Sequence, residues 1–291
     1  MAVGSTILKQ RLALPQPLLV PACYDMVSAK VVERCGFEAV YLSGFGHSAS
    51  HLGLPDAGLI SFSEMLERLH HLVRSVDIPV LADADTGFGG VVNVRRTVEE
   101  YEAAGAQAIQ LEDQMIPKKC GHTPGKQLIE ASEMAGKLEA AVAARRSDRF
   151  LIIARTDAIA VTGFDDAISR GELYQQAGAD ILFIEAPTSL DQIERIAASF
   201  HKPLMINLVE RGKTPLLSLE QLQTLGYKVV AYALTTLMAS VRAMERTLAK
   251  LKDGSSPEEY LDELATFEEL DQLLGFPEWR QWENRFRRPS G

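Results

Sequence analysis

The sequence has no apolar run near the ~20 residues that a membrane-spanning helix needs. Its opening, MAVGSTILKQRLALPQ, lacks the apolar core of a secretory leader. A soluble, cytoplasmic protein with no membrane partner is expected. Cysteine is scarce, with Cys23, Cys35 and Cys120 the whole supply in 291 residues. Three thiols cannot all pair, which excludes a disulfide scaffold and points to a reducing compartment. Basic charge is in deficit, at 30 Lys plus Arg against 39 Asp plus Glu and a formal net charge of −9. Such a surface repels phosphate backbones, so nucleic acid is not an expected partner. What is plentiful is apolar side chain, 46% of residues against 24% charged, enough to bury a large core.

That apolar content is organised. LLVPAC (18–23), AVYLSG (39–44), PVLADAD (79–85) and AIQLED (108–113) are short runs with the near-continuous character of strands covered on both faces. FLIIARTD (150–157), ILFIEAP (181–187), PLMINL (203–208) and VVAYAL (229–234) repeat it. Amphipathic stretches separate them, among them FSEMLERLHHLVRSV after Ser61, with Ser61 and Glu64 spaced as a capping box. CGF (35–37), AGA (104–106) and AGAD (177–180) place glycine where a helix would end left-handed before the next strand. Eight strands with intervening helices predict an α/β (β/α)8 barrel over 1–252. An open doubly wound sheet is the alternative, but it would need an early glycine-rich phosphate turn, and none is present. After a helix at 235–252, DGSSPEE reads as a linker into a helical tail (253–291) carrying Trp279 and Trp282, which is expected at a subunit interface.

Chemistry-bearing residues gather at the strand ends: Tyr41 and Ser43, Asp83 and Asp85, Glu112 and Asp113, Arg155 and Asp157, then Glu185, Asn207 and Tyr232. In a barrel these ends meet on one face, where such enzymes keep their sites. A plainer account, carboxylates that cap the following helix, suits Asp113 or Asp157 alone but not the whole series. Asp83 and Asp85 are two apart and are expected on one face of their strand, with Glu112 ending the next. Three carboxylates that close repel unless a cation lies among them. Hard oxygen donors with room for water fit Mg2+, or Mn2+, better than zinc or calcium. Pairing with Arg155 or Lys118 is the competing explanation. The loop QMIPKKCGHTPGK (114–126) adds two adjacent lysines and a third at its end, with Cys120 and His122 around Gly121, as a mobile lid with a reactive thiol would.

Other features do not develop into sites. GKT at 212–214 lacks the upstream glycine of a phosphate loop, and His47 and His51 lack the intervening glutamate of a zinc-protease helix. TGFGG (86–90) reads as a turn, His70 and His71 as helix residues, and Cys23 and Cys35 as inert core.

YLSG (41–44), GLPD (53–56), DADTGFG (83–89), LEDQ (111–114), KKCGH (118–122), ARTDA (154–158) and NLVERGKTP (207–215) together resemble the isocitrate lyase/phosphoenolpyruvate mutase superfamily, over about residues 10–250. The short members, such as 2-methylisocitrate lyase, 2,3-dimethylmalate lyase and carboxyphosphonoenolpyruvate phosphonomutase, are the most similar. The resemblance implies a Mg2+-dependent carbon–carbon lyase that splits a 2-hydroxy dicarboxylate or tricarboxylate into an oxoacid such as pyruvate and a carboxylic acid. Phosphonomutase and oxaloacetate decarboxylase or hydrolase chemistry are the alternatives. It implies metal held directly by Asp85, with Asp83 and Glu112 acting through water and Asp56 nearby. Ser43, Gly44, Phe45 and Arg155 would hold the oxoacid, and Cys120 would protonate the departing carbon. Lys118, Gly121, His122, Glu185 and Asn207 would take the second carboxylate, and Tyr41 would be the base. It further implies a helix-swapped homotetramer. Ala233 stands where methylisocitrate lyases usually have proline, and NLVERG where they tend to have NITEFG.

Overall fold

In the computed structural model, residues 8–121 and 123–288 are described. Eight parallel strands pair in sequence order: β1 (Leu18–Cys23), β2 (Val40–Leu42), β3 (Val80–Asp83), β4 (Ala108–Glu112), β5 (Leu151–Thr156), β6 (Ile181–Ile184), β7 (Leu204–Asn207) and β8 (Tyr227–Tyr232). β8 returns to pair with β1, so the sheet closes into the expected barrel and leaves no open edge. The helices are α1 (Leu8–Leu12), α2 (Met26–Arg34), α3 (Gly44–His47), α4 (Phe62–Ser75), α5 (Val91–Ala104) and α6 (Ala131–Ala144). They continue with α7 (Phe164–Gln176), α8 (Leu190–Ser199), α9 (Leu219–Thr224), α10 (Thr235–Lys252), α11 (Phe267–Leu273) and α12 (Phe276–Phe286).

Local chemistry sets these boundaries. Ser61 Oγ accepts the Glu64 amide while Glu64 Oε2 accepts the Ser61 amide at 2.7 Å, so the capping box starts α4 as its spacing predicts. Gly105 ends α5 at φ 100°, a left-handed conformation that only glycine adopts without strain. Cys35 departs from expectation. It is the C-cap of α2, where the chain turns outward, and it is exposed, whereas Cys23 on β1 is buried.

Alternation along each strand divides the core in two. One set, including Val20, Leu81, Ile153, Ile181, Phe183, Met205 and Val229, fills the barrel interior. Leu8 and Leu12 of α1 join this set, so the first described helix plugs one end of the barrel. The alternate set, including Leu42, Ile109, Ile152, Leu182 and Val230, packs against the helix layer. The inward series continues in register to the far ends of the strands, as Leu81 to Asp83, Ile153 to Arg155, and Phe183 to Glu185. Strands such as β3, β5 and β6 are therefore apolar pegs with a functional group at the mouth.

The chain divides into two compact units, Met1–Thr236 and Leu237–Gly291. The second unit leaves much apolar surface exposed. Val241, Met244, Leu248 and Leu251 recur on one face of α10, and Phe267 (86% exposed), Trp279 (69%), Trp282 and Phe286 stand out from the tail.

Candidate active site

The register explains which strand-end groups meet. A cavity of about 50 Å3 at the barrel mouth is lined by Tyr41, Ser43, Phe45, Asp56, Asp83, Cys120, Gly121, Arg155, Glu185 and Asn207, all expected there. Asp85, Glu112 and Asp157 do not line it but lie against groups that do, Asp85 on Asp83 through its amide and the other two on Arg155. Two further groups, Asp113 and Tyr232, turn away by one position. Asp113 follows the inward Glu112 and so turns to the helix layer. There it accepts from Thr156 Oγ1 (2.7 Å), Tyr174 Oη (2.8 Å) and Arg170 (3.2 Å). Asp113 therefore has a structural role, but by joining β5 to α7 rather than by capping the following helix, whose N-cap is Glu130. Tyr232 lies between the cavity-lining Ala231 and Ala233, so it packs outward among the helices.

Asp83 is fixed from three sides. Gly44 N donates to its Oδ2 at 3.2 Å, and Gln110 Nε2 and the Asp85 amide donate to Oδ1 at 3.2 and 3.0 Å. Gln110 reaches it because the two residues are register partners on β3 and β4. A Cβ on residue 44 would sit 2.7 Å from Asp83 Oδ2 and 3.2 Å from Asp85 Oδ1. The missing side chain is what lets this turn approach both carboxylates. Asp83 and Asp85 face the same place, but not by strand alternation. β3 ends at Asp83, and Asp85 reaches its position through a left-handed φ of 49°. That conformation costs a non-glycine residue about 1 kcal/mol.

Arg155 is set by the same sheet geometry, being the register partner of Glu112 and of Phe183. Its guanidinium lies 3.3 Å from Glu112 Oε2 and 3.7 Å from Glu185 Oε1, and it makes a two-pronged contact with Asp157 at 2.9 and 3.0 Å. It also lies over the Phe183 ring. Tyr41 is buried, and that burial, with Asp83 beside it, pushes its phenol well above the ordinary tyrosine range while Arg155 opposes. The phenol keeps its proton unless positive charge is added near Asp83.

The segment after β4 arches over this cavity. Its base is pinned by a bridge between Gln114 and Leu128, and the Gln114 amide clasps the backbone of Lys119 at 2.8 and 2.9 Å. Cys120 is half-buried at the cavity wall. A Cβ on Gly121 would overlap the Glu185 carboxylate and come within 2.6 Å of Arg155 Nη2. With this segment in place the cavity is small, about 50 Å3. Gly121→Ala is accordingly expected to keep the lid off Arg155 and lower kcat/KM by about 100-fold, read from initial rates. His122 lies outside the described residues.

Charge is unbalanced here. Six buried carboxylates (Asp56, Asp83, Asp85, Glu112, Asp157, Glu185) face three buried cations (Lys118, Lys126, Arg155) among the described residues. Lys118 Nζ lies between Asp56 and Asp85, at 2.5 and 2.7 Å, so the competing ion pairing does occur. It does not neutralise the cluster. Burial, opposed by Lys118 and reinforced by Asp83 and Asp56, pushes Asp85 up to about 6. Burial also holds Glu112 well above the carboxylate range against Arg155, and its Oε1 has no hydrogen-bond partner among the described residues. Among the described residues no three His, Cys, Asp or Glu side chains converge as a ready-made metal cage. Mg2+ does not require one, since it keeps several waters and takes one or two carboxylates. An orphaned carboxylate oxygen and a surplus of buried negative charge fit such an ion.

Val209 and Ala233, noted above as departures from the methylisocitrate lyase pattern, also line the cavity, and Gln110, Phe183, Met205, Ala231 and Leu234 complete it without having been singled out in the sequence. Only their inward parity could have revealed them, because their residue types are those of ordinary barrel core.

Known proteins carry the same framework. A 2,3-dimethylmalate lyase from Eubacterium barkeri is 43% identical over 279 residues, 96% of each chain. A 2-methylisocitrate lyase from Aeropyrum pernix is 44% identical, covering 94% of this chain and 88% of that one. A phosphonopyruvate hydrolase solved with oxalate and Mg2+ superposes with a TM-score of 0.86 at 35% identity, covering 96% of this chain and 98% of that one. The family model described as phosphoenolpyruvate phosphomutase matches residues 8–252, and this chain belongs to that family.

Proposed function

We propose that the protein is a Mg2+-dependent carbon–carbon lyase that cleaves a 2-hydroxy dicarboxylate to pyruvate or a related oxoacid. The observation that carries this reading is the placement of Cys120 and Arg155 on one cavity beside a surplus of buried carboxylates. Asp85 would hold the ion, with Asp83 and Glu112 acting through its waters. When bound, the ion polarises the α-oxygens of the substrate and offsets charge on them.

The chain's own groups do the rest. Ser43, the Gly44 backbone and Arg155 orient the oxoacid half. Tyr41 is placed to take the proton of the 2-hydroxyl once positive charge at the carboxylates has lowered its phenol. The C2–C3 bond breaks, its electron pair passes to C3 beside the distal carboxylate, and C2 becomes the oxoacid carbonyl. Cys120 Sγ donates one proton to C3, and the thiolate regains it from solvent when the lid lifts. Gly121, Glu185 and Asn207 border the distal carboxylate, with Lys118 and His122 assigned there by family resemblance.

Phe45, Met205, Val209, Ala231, Ala233 and Leu234 make part of the lining apolar, and Arg155 is the one cation among the described lining residues. This supports an alkyl-substituted dicarboxylate over a tricarboxylate, whose third charge would find no further cation among the described lining residues. Pyruvate release, coupled to lactate dehydrogenase, is expected to give kcat/KM for 2,3-dimethylmalate about 100-fold above that for methylisocitrate. EDTA is expected to abolish turnover on both. If none of dimethylmalate, methylisocitrate, citramalate and oxaloacetate is turned over in a metal-dependent way, the lyase reading falls. Phosphorus NMR with phosphoenolpyruvate then tests the mutase alternative.

The exposed apolar faces of the second unit support a homotetramer with exchanged helices. No helix among the described residues is long and apolar enough to cross a membrane. A cytoplasmic location, from the cysteine usage, belongs to the same proposal.

A further inference from the structure

Lys126 sits at the trailing arm of the lid, and its side chain is 1% exposed, against the exposed contact that Lys119 makes with the Gly125 carbonyl. Its Nζ donates to two acceptors, the Gly121 carbonyl at the lid tip and Asp157 Oδ1, the latter at 2.8 Å. The same Asp157 carboxylate grips Arg155 through Nε and Nη2. A buried carbonyl needs a donor and a buried ammonium needs a carboxylate. Both requirements are met at one atom only while the lid is down.

The geometry points to Lys126 as a positioning residue: through Asp157 it ties the closed lid to the orientation of the substrate-facing Arg155. Without its ammonium, the Gly121 carbonyl is left buried and unsatisfied, and the lid regains a donor only by lifting into water. Asp157 then answers to Arg155 alone, and the guanidinium no longer registers whether Cys120 is in place. The role of this pair in turnover rests on the lyase reading above, but the position of the lid does not.

Lys126→Met tests it in the full-length protein. The rate of Cys120 alkylation by iodoacetamide, followed by peptide mass spectrometry with exposed Cys35 as internal reference, is expected to rise about fivefold. kcat is expected to fall at least about tenfold, with KM changing much less, as for a misplaced rather than a missing binding group. An unchanged Cys120/Cys35 labelling ratio overturns the tether, and faster labelling with unaltered kcat overturns its link to Arg155. Should Lys126→Met fail to fold, Lys126→Leu carries the same two readouts, since it too removes both the donor to the Gly121 carbonyl and the charge facing Asp157. If the wild type turns over none of the organic acids, the labelling ratio still decides the tether, which separates that failure from this one.

Discussion

Exchange of Cys120 for serine is expected to lower kcat for carbon–carbon cleavage by about 1000-fold, within the range for losing a placed general acid. Pyruvate affinity should change by less than about threefold. The two side chains differ little in size, and the residue is held by its backbone. Thr123 donates to the Cys120 carbonyl from its amide at 2.9 Å and from its hydroxyl at 2.8 Å, and serine would accept both. What changes is acid strength. A thiol ordinarily ionises near ~8.5, whereas an aliphatic alcohol releases its proton only at far higher pH, so the carbanion at C3 waits longer and recombines with the oxoacid. Steady-state rates beside calorimetric pyruvate binding separate the two effects. A serine variant with wild-type kcat would remove the thiol from the reaction and leave the carboxylate–Arg155 arrangement standing.

The strands were legible in the sequence because a doubly covered parallel strand is apolar on both faces, and all eight runs recur as β1–β8. The polar groups at their ends were legible for the same reason, as they break an otherwise apolar pattern. Sequence position alone could not supply parity at the last residue. Glu112 and Asp113 look equivalent side by side, yet one faces Arg155 and the other Tyr174. Nor could it supply every partner brought in by loops. Lys118 could be named as a pairing partner for the carboxylates, and it does lie between Asp56 and Asp85. Lys126 reads as a generic basic residue of one flexible segment, but the fold buries it on Asp157. Spacing placed Asp83 and Asp85 together correctly but by the wrong route, since the second reaches its place through a left-handed turn. Local pattern sets which element a residue belongs to, whereas charge pairing across the mouth of a closed barrel is set by closure.

Asp85→Asn is expected to abolish Mg2+-dependent turnover while making the metal-free protein more stable. Asparagine has nearly the same volume and tolerates positive φ, so the strained turn is kept and only the charge is lost. In the folded protein the Asp85 carboxyl is pushed up to about 6 from an ordinary value of 3.8, by burial above all and by Asp83 and Asp56, with Lys118 opposing. A folded-state value above the unfolded one means that the native state binds this proton more tightly. The penalty is absent below about 3.8, grows as pH rises towards 6, and is fully present at neutral pH. The shift corresponds to about 3 kcal/mol at pH 7. Removing the carboxylate relieves it, less the attraction to Lys118, which retains Asp56 at 2.5 Å. Wild-type protein without metal should therefore melt higher at pH 5 than at pH 7 as far as this group is concerned, whereas the asparagine variant should lose that part of the dependence. Mg2+ at 100 times its dissociation constant should stabilise the wild type by about 2.7 kcal/mol and leave the variant unmoved. Thermal unfolding of both proteins at the two pH values, in EDTA and in excess Mg2+, reads all of this in one set of curves. If the variant still gains stability from Mg2+, the ion is held elsewhere, and the surplus of buried charge at the barrel mouth needs another explanation.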